Sequence, residues 1–146
     1  MAKLSEHVVI TTRNLTTGKP IHASSYPDTV GSDEANDGDF GSSWYMDEGQ
    51  TAGWLEVDLG AQESFNVVSL AEPVGRRNDY QQSRIRSFRF ERWDGVQWVA
   101  MTGGGTPAPT TILRIPRVSS QRVRLLLDSS KEMPHVAEIG LYDEPL

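Results

Sequence analysis

Trp54-Leu55-Glu56-Val57-Asp58-Leu59-Gly60 alternates strictly, with Leu55, Val57 and Leu59 on one face and Glu56 and Asp58 on the other. Successive side chains of a strand point to opposite faces, so this segment predicts a strand buried on one side only. The runs around it repeat the pattern. Phe65-Asn66-Val67-Val68-Ser69-Leu70 reads as a second strand, and Phe88 and Phe90 alternate with Arg89 and Glu91 in a third. Asp94-Gly95 then separates two apolar runs ending and beginning at Trp93 and Trp98, a strong hairpin signal that implies antiparallel pairing. Thr110 to Ile115 is expected to stop at Pro116. Arg122 to Leu127 faces Val123, Leu125 and Leu127 inward, and Val136 to Tyr142 supplies a last strand. Val8 to Thr12 is β-branched enough to pair as well, while Gly103-Gly104-Gly105-Thr106-Pro107 predicts a mobile loop. No stretch holds a helical period over three turns. Strands at intervals of about 8–12 residues without helices between them imply an all-β, antiparallel sandwich.

The length of 146 residues fits one domain, with residues 1–13 expected as a lead-in and 14–146 as the folded unit. A net charge of -6 argues against nucleic acid, which needs clustered Lys and Arg to displace counterions. The absence of cysteine excludes disulfides, thiolate zinc sites and cysteine nucleophiles. No apolar run is long enough to span a bilayer, and Met1 to Ile10 has no signal-peptide character. The expectation is a soluble chain without a leader whose compartment stays open, since a piece excised from a secreted parent would also lack its leader.

Glu34-Ala35-Asn36-Asp37-Gly38-Asp39-Phe40-Gly41-Ser42-Ser43-Trp44 packs oxygen donors into a loop whose glycines let the backbone curl. Hard cations such as Ca²⁺ take carboxylates, hydroxyls and carbonyls, so the stretch reads as a calcium loop, although its spacing is not that of an EF-hand. It cannot close the shell alone, and Glu138 is the candidate distant carboxylate. The alternative is a solvated acidic turn.

The order of these segments resembles the coagulation factor V/VIII type C, or discoidin, domains, and more closely the family 32 carbohydrate-binding modules. The landmarks are Asn14-Leu15 with Gly18-Lys19-Pro20 and Ala23-Ser24-Ser25, Ala35 to Asp39 with Trp44, Trp54 to Gly60, the Asp94-Gly95 hairpin, and Ala137-Glu138-Ile139-Gly140-Leu141-Tyr142. Phe90 to Trp98, Ile112 to Pro116 and Arg122 to Leu125 also look like the carboxy-terminal module of bacterial family 29 α-L-fucosidases. The resemblance implies an eight-stranded jelly-roll sandwich of the galactose-binding-domain type, with a structural calcium ion near its sugar-contacting loops. The ion would take the carbonyls of Glu34 and Asp39, the carboxylates of Asp37 and Glu138, and the hydroxyl and carbonyl of Ser42. It further implies a bacterial parent enzyme that is secreted, periplasmic or displayed at the cell surface.

Sugar modules set an aromatic ring against a pyranose and aim a few polar donors at its hydroxyls. Gly75 to Gln82 offers such groups, with Arg77, Asn78 and Tyr80 the first choices and Arg76 beside them. The same charges would also fit a solvated turn paired to a carboxylate. Tyr45 stands where a galactose-binding module has histidine, and it offers a ring platform. His135 could supply an imidazole from another side, and Tyr26 a second wall or a packed surface ring. His22 reads as structural, Trp54, Trp93 and Trp98 as core or sheet-surface rings, and Trp44 as a ring packed beside the metal loop.

No nucleophile elbow, zinc-protease helix or phosphate-cradling loop is present, and nothing selects one carboxylate pair for glycoside hydrolysis. The expectation is a non-catalytic module, and the resemblance implies its fusion to a glycosidase and a glycan ligand with a terminal galactose-type or fucose-type sugar. The competing expectation is a structural accessory domain, or a protein-binding discoidin relative, with no sugar site.

Overall fold

The computed structural model describes residues 10–24, 35, 36, 38, 44, 45, 51–73, 84–107, 110–130 and 134–145. Their regular elements are all strands: β1 (Ile21–Ala23), β2 (Trp44–Tyr45), β3 (Gly53–Ala71), β4 (Ile85–Trp93), β5 (Trp98–Gly104), β6 (Thr110–Ser130), β7 (His135–Val136) and β8 (Glu138–Tyr142). One sheet runs β1-β3-β6-β4-β5 with β8 also on β3, and β2 pairs with β7. Every pairing is antiparallel.

The segments expected as separate strands are fused. Trp54–Gly60 and Phe65–Leu70 both lie in β3, and Thr110–Ile115 and Arg122–Leu127 both lie in β6. A straight strand of 19 residues would be about 60 Å long, whereas a domain of this size has a radius of gyration of about 15 Å. The β3/β6 ribbon must therefore bend, and it does so at two breaks in register, between Asp58 and Glu63 and between Phe65 and Val67. At the first, Gly60 takes a φ of 84° and donates its amide to Asp58 Oδ1 at 2.9 Å, a contact that holds the Asp58 carboxyl below its ordinary pKa.

Pro116 does not end its strand. It falls inside the second break, where Val67 pairs with Arg114 but Phe65 pairs with Val118. A bulge is where a strand can accept a residue that lacks an N–H. Opposite it, Asn66 turns a buried side chain into a substitute peptide, donating to Glu144 O at 2.9 Å and accepting Glu144 N at 2.8 Å.

The bend gives the ribbon two kinds of wall. Leu55, Val57, Leu59, Val123, Leu125 and Leu127 are buried at alternate positions as expected, with Phe88 and Phe90 beside them. Beyond the bend, Val68 lies between Leu113 and Leu141, and Leu70 between Thr111 and Ile139. Both sets join one hydrophobic cluster, the interior of a β-sandwich.

Gly103 and Gly104 are in β5 rather than in a loop, paired with Arg89 and Phe88. A Cβ on Gly103 would meet Phe88 O at 2.5 Å, so the glycines permit close approach of the strands. The hairpin forms around Asp94, whose Oδ1 accepts the amides of Val96 and Gln97 at 2.8 Å each. Thr11 and Thr12 pair with the Glu144 carboxylate instead of joining a strand; Val8 and Val9 lie outside the described residues. Glu91 is buried despite its outward position, since Arg89 and Arg124 both bind it.

Candidate sugar-binding end of the sandwich

The short β2–β7 pair sets Trp44 opposite Val136 and Tyr45 opposite His135. Alternation sends Trp44 and Val136 into the core, both fully buried, and leaves Tyr45 and His135 half-buried on the other face. There the two rings stack, with centroids 4.9 Å apart and planes inclined by 21°. Burial first, and the Arg84 charge second, push the His135 imidazole down to about 4. His135 is therefore neutral at physiological pH, with one ring nitrogen a donor and the other an acceptor.

Arg84 opens the segment leading into β4. Its amide and that of Ile85 donate to the carboxylate of buried Glu72 at 2.8 and 3.2 Å. Glu72 follows directly on β3, so one carboxylate ties together the two ends of the connection that carries Arg76, Arg77, Asn78 and Tyr80. Those four residues, and Tyr26, lie outside the described residues. Of the expected sugar-binding residues, the structure brings Tyr45 and His135 together. Arg84 was not singled out from the sequence, where it is one arginine among several; its place beside His135 emerges only in three dimensions.

Glu138 is buried at the start of β8. Its Oε1 accepts the Gly38 amide and its Oε2 the Asn14 side-chain amide, each at 3.2 Å. Asn14 also donates to Ile139 O and accepts the Leu141 amide, and Asn36 donates to Thr16 O and Lys19 O. Gly38, at a φ of 79°, supplies the turn that aims its amide at Glu138. A distant carboxylate thus reaches the expected calcium loop. Each carboxylate oxygen has two lone pairs, so this arrangement fits a calcium ligand. The remaining expected ligands, Glu34, Asp37, Asp39 and Ser42, lie outside the described residues, and among the described ones no group of three His, Cys, Asp or Glu side chains gathers around a common point.

A bent antiparallel β-sandwich of this kind is the fold of the galactose-binding-domain-like modules. A family model described as the NedA-like, galactose-binding domain of the F5/F8 type C group matches residues 34–125, and the chain belongs to that family. Alpha-L-fucosidase 1 of Arabidopsis thaliana is 28% identical over 102 residues, which cover 68% of this chain and 19% of that protein. The chain thus spans about a fifth of this relative's length. The fold is shared with a family 32 module of C. perfringens NanJ, solved in complex with galactose, at a TM-score of 0.74 and 11% identity over 85% of this chain and 93% of that one. It is shared also with part of a Ruminococcus gnavus GH29 fucosidase, solved in complex with fucose, at a TM-score of 0.73 and 22% identity over 91% of this chain and 27% of that one. Among the described residues no helix is long and apolar enough to cross a membrane.

Proposed function

We propose that this domain is a calcium-stabilised, non-catalytic module that holds a terminal galactose-type or fucose-type sugar and carries an attached glycosidase to glycans outside the cytoplasm. The observation that supports it most is the Tyr45–His135 stack, which presents an aromatic surface and a neutral imidazole at the end of the sandwich served by Glu138. The apolar face of a pyranose packs against such a surface, and its hydroxyls take hydrogen bonds from Arg77, Asn78 and the imidazole. Tyr80 or Tyr45 supplies the ring. Calcium, when bound, supplies a fixed positive centre that holds the oxygen-rich loop; Glu138 and Asp37 hold the ion by their carboxylates. The galactose bound by the C. perfringens module of the same fold and the Arabidopsis fucosidase relative support this sugar class.

A small exposed sugar site buries little area and is weak alone, so clustered glycans raise its effective strength by avidity. The test is titration of free galactose, fucose and N-acetylgalactosamine against the ¹⁵N-labelled domain and its Arg77→Ala variant. Saturable shifts at Tyr45, His135 and residues 75–82 are expected. Loss of a hydrogen bond to charged Arg77 costs about 1.5–3 kcal/mol, enough to abolish detectable binding by a weak site. Silence at all these positions with every sugar would favour the accessory-domain reading. Aryl glycosides of the same sugars should release nothing above a buffer control.

A further inference from the structure

The outer face of the sheet carries three tryptophans in different situations. Trp93 and Trp98 meet edge to face and are half-buried, with Arg122 5.3 Å from each ring centroid and Arg124 4.3 Å from that of Trp98. These rings are covered by stacked guanidinium groups. Trp54, at the start of β3, stays 38% exposed and borders a cavity of about 410 Å³ that Ser24, Gly53, Leu126 and Asp128 also line. Trp54 pairs across the ladder with Leu126, so the two form an apolar strip. Ser24 accepts the Trp54 amide on its hydroxyl oxygen at 2.9 Å and donates its own amide to Trp54 O at 3.0 Å, which fixes the backbone under the ring. Asp128 is gripped by Arg89 Nε at 3.1 Å to both carboxylate oxygens.

We propose that this groove is a second carbohydrate site, separate from the Tyr45–His135 stack, which takes a neutral pyranose against the Trp54 ring with its hydroxyls donating to Asp128. The carboxylate disfavours an acidic sugar. Its pairing with Arg89 removes the net negative field that would draw a cationic amino sugar, while unused lone pairs still accept hydroxyls. The volume lies at the small end of ligand cavities, which suits one ring rather than a chain. The groove sits where β1 ends and β3 begins, and seven residues separate Asp128 from His135 in sequence. Chain reach therefore keeps the two sites within about 25 Å, so one branched or clustered glycan can engage both.

The experiment follows the Trp54 indole N–H and the Gly53 and Asp128 amides of the labelled domain during titration with methyl galactoside, methyl fucoside and N,N′-diacetylchitobiose. At least one sugar should move them saturably. Asp128→Asn, which keeps the ring and an exposed polar side chain, should weaken that response several-fold. Trp54→Ala should weaken the Gly53 response about tenfold while leaving shifts at His135 unchanged. If His135 responds and Trp54 stays silent with every sugar, the groove is no site and the reading of the first site stands. If Trp54 responds and His135 does not, the groove binds and the first site is misplaced. An Asp128→Asn variant that responds like the parent would overturn the proposal.

Discussion

Strand β8 is bounded by two buried glutamates with different surroundings. Beyond its far end, Glu144 accepts the amides of Thr11 and Thr12, at 3.1 and 2.9 Å at their shortest, and both of their hydroxyls. The Thr12 hydroxyl, followed by the two amides, holds its carboxyl below the ordinary range. This carboxylate is a strap that closes the chain's beginning onto its end using neutral donors. At the near end, Glu138 meets Gly38 and Asn14 at longer distances, beside a loop whose sequence is rich in further acceptors. Donors gathered on a carboxylate make a structural tie; in the calcium site proposed at Glu138, the loop's acceptors join it around a cation.

Removing metal is the strongest way to break this comparison. An ion at a thousand times its Kd stabilises the native state by about 4 kcal/mol, which for a domain of this size is a Tm shift of about 8–16 °C. EDTA should therefore lower the Tm by that order, and Glu138→Ala should abolish the EDTA response. An unmoved melting curve, with no copurifying metal, would make the loop a solvated acidic turn and Glu138 a second strap.

The middle of the strand should be next in size. A Cβ at Gly140 would fall 2.2 Å from Ser69 Oγ and 2.6 Å from the Tyr142 ring, so Gly140→Ala overpacks the site and should cost about 1–3 kcal/mol by chemical denaturation. Glu144→Ala should destabilise less, and by the same amount with or without EDTA. A Glu144 variant whose stability depended on EDTA would erase the distinction between the two ends.

The sandwich was legible in the sequence because its signal is local and periodic: Leu55, Val57 and Leu59 announce a half-buried strand without reference to any other segment. Pro116 and Gly103 misled because each is judged by a local rule, while its tolerance depends on a partner strand: a bulge opposite Asn66 in one case, close approach to Phe88 in the other. Glu138 was expected at the acidic loop, and its contact with the Gly38 amide places it there, although the loop's acidic residues lie outside the described ones. Tyr45 and His135 could be chosen as rings, but not as a stacked pair, since 90 residues separate them and only the β2–β7 register brings them together. Arg84 and the Trp54 groove carry no motif. Their significance lies in neighbours contributed by other strands.

The loop end can also be tested without metal or sugar. The native pKa of His135, about 4, lies below the ordinary value of 6.5. Between those two pH values the unfolded chain binds a proton that the native one does not, so His135 favours unfolding there. Its contribution is absent above pH 6.5 and grows as pH falls toward 4. His135→Phe, which keeps a ring against Tyr45, should therefore match the parent near pH 7.5 and become progressively more stable relative to it as pH drops to about 4.5. Denaturation curves at matched ionic strength, with the metal content held fixed, measure the difference. Parallel pH profiles would mean that the imidazole is hydrated and takes up its proton in the native state, so that below pH 6.5 it would meet a sugar as a cation rather than as a neutral group.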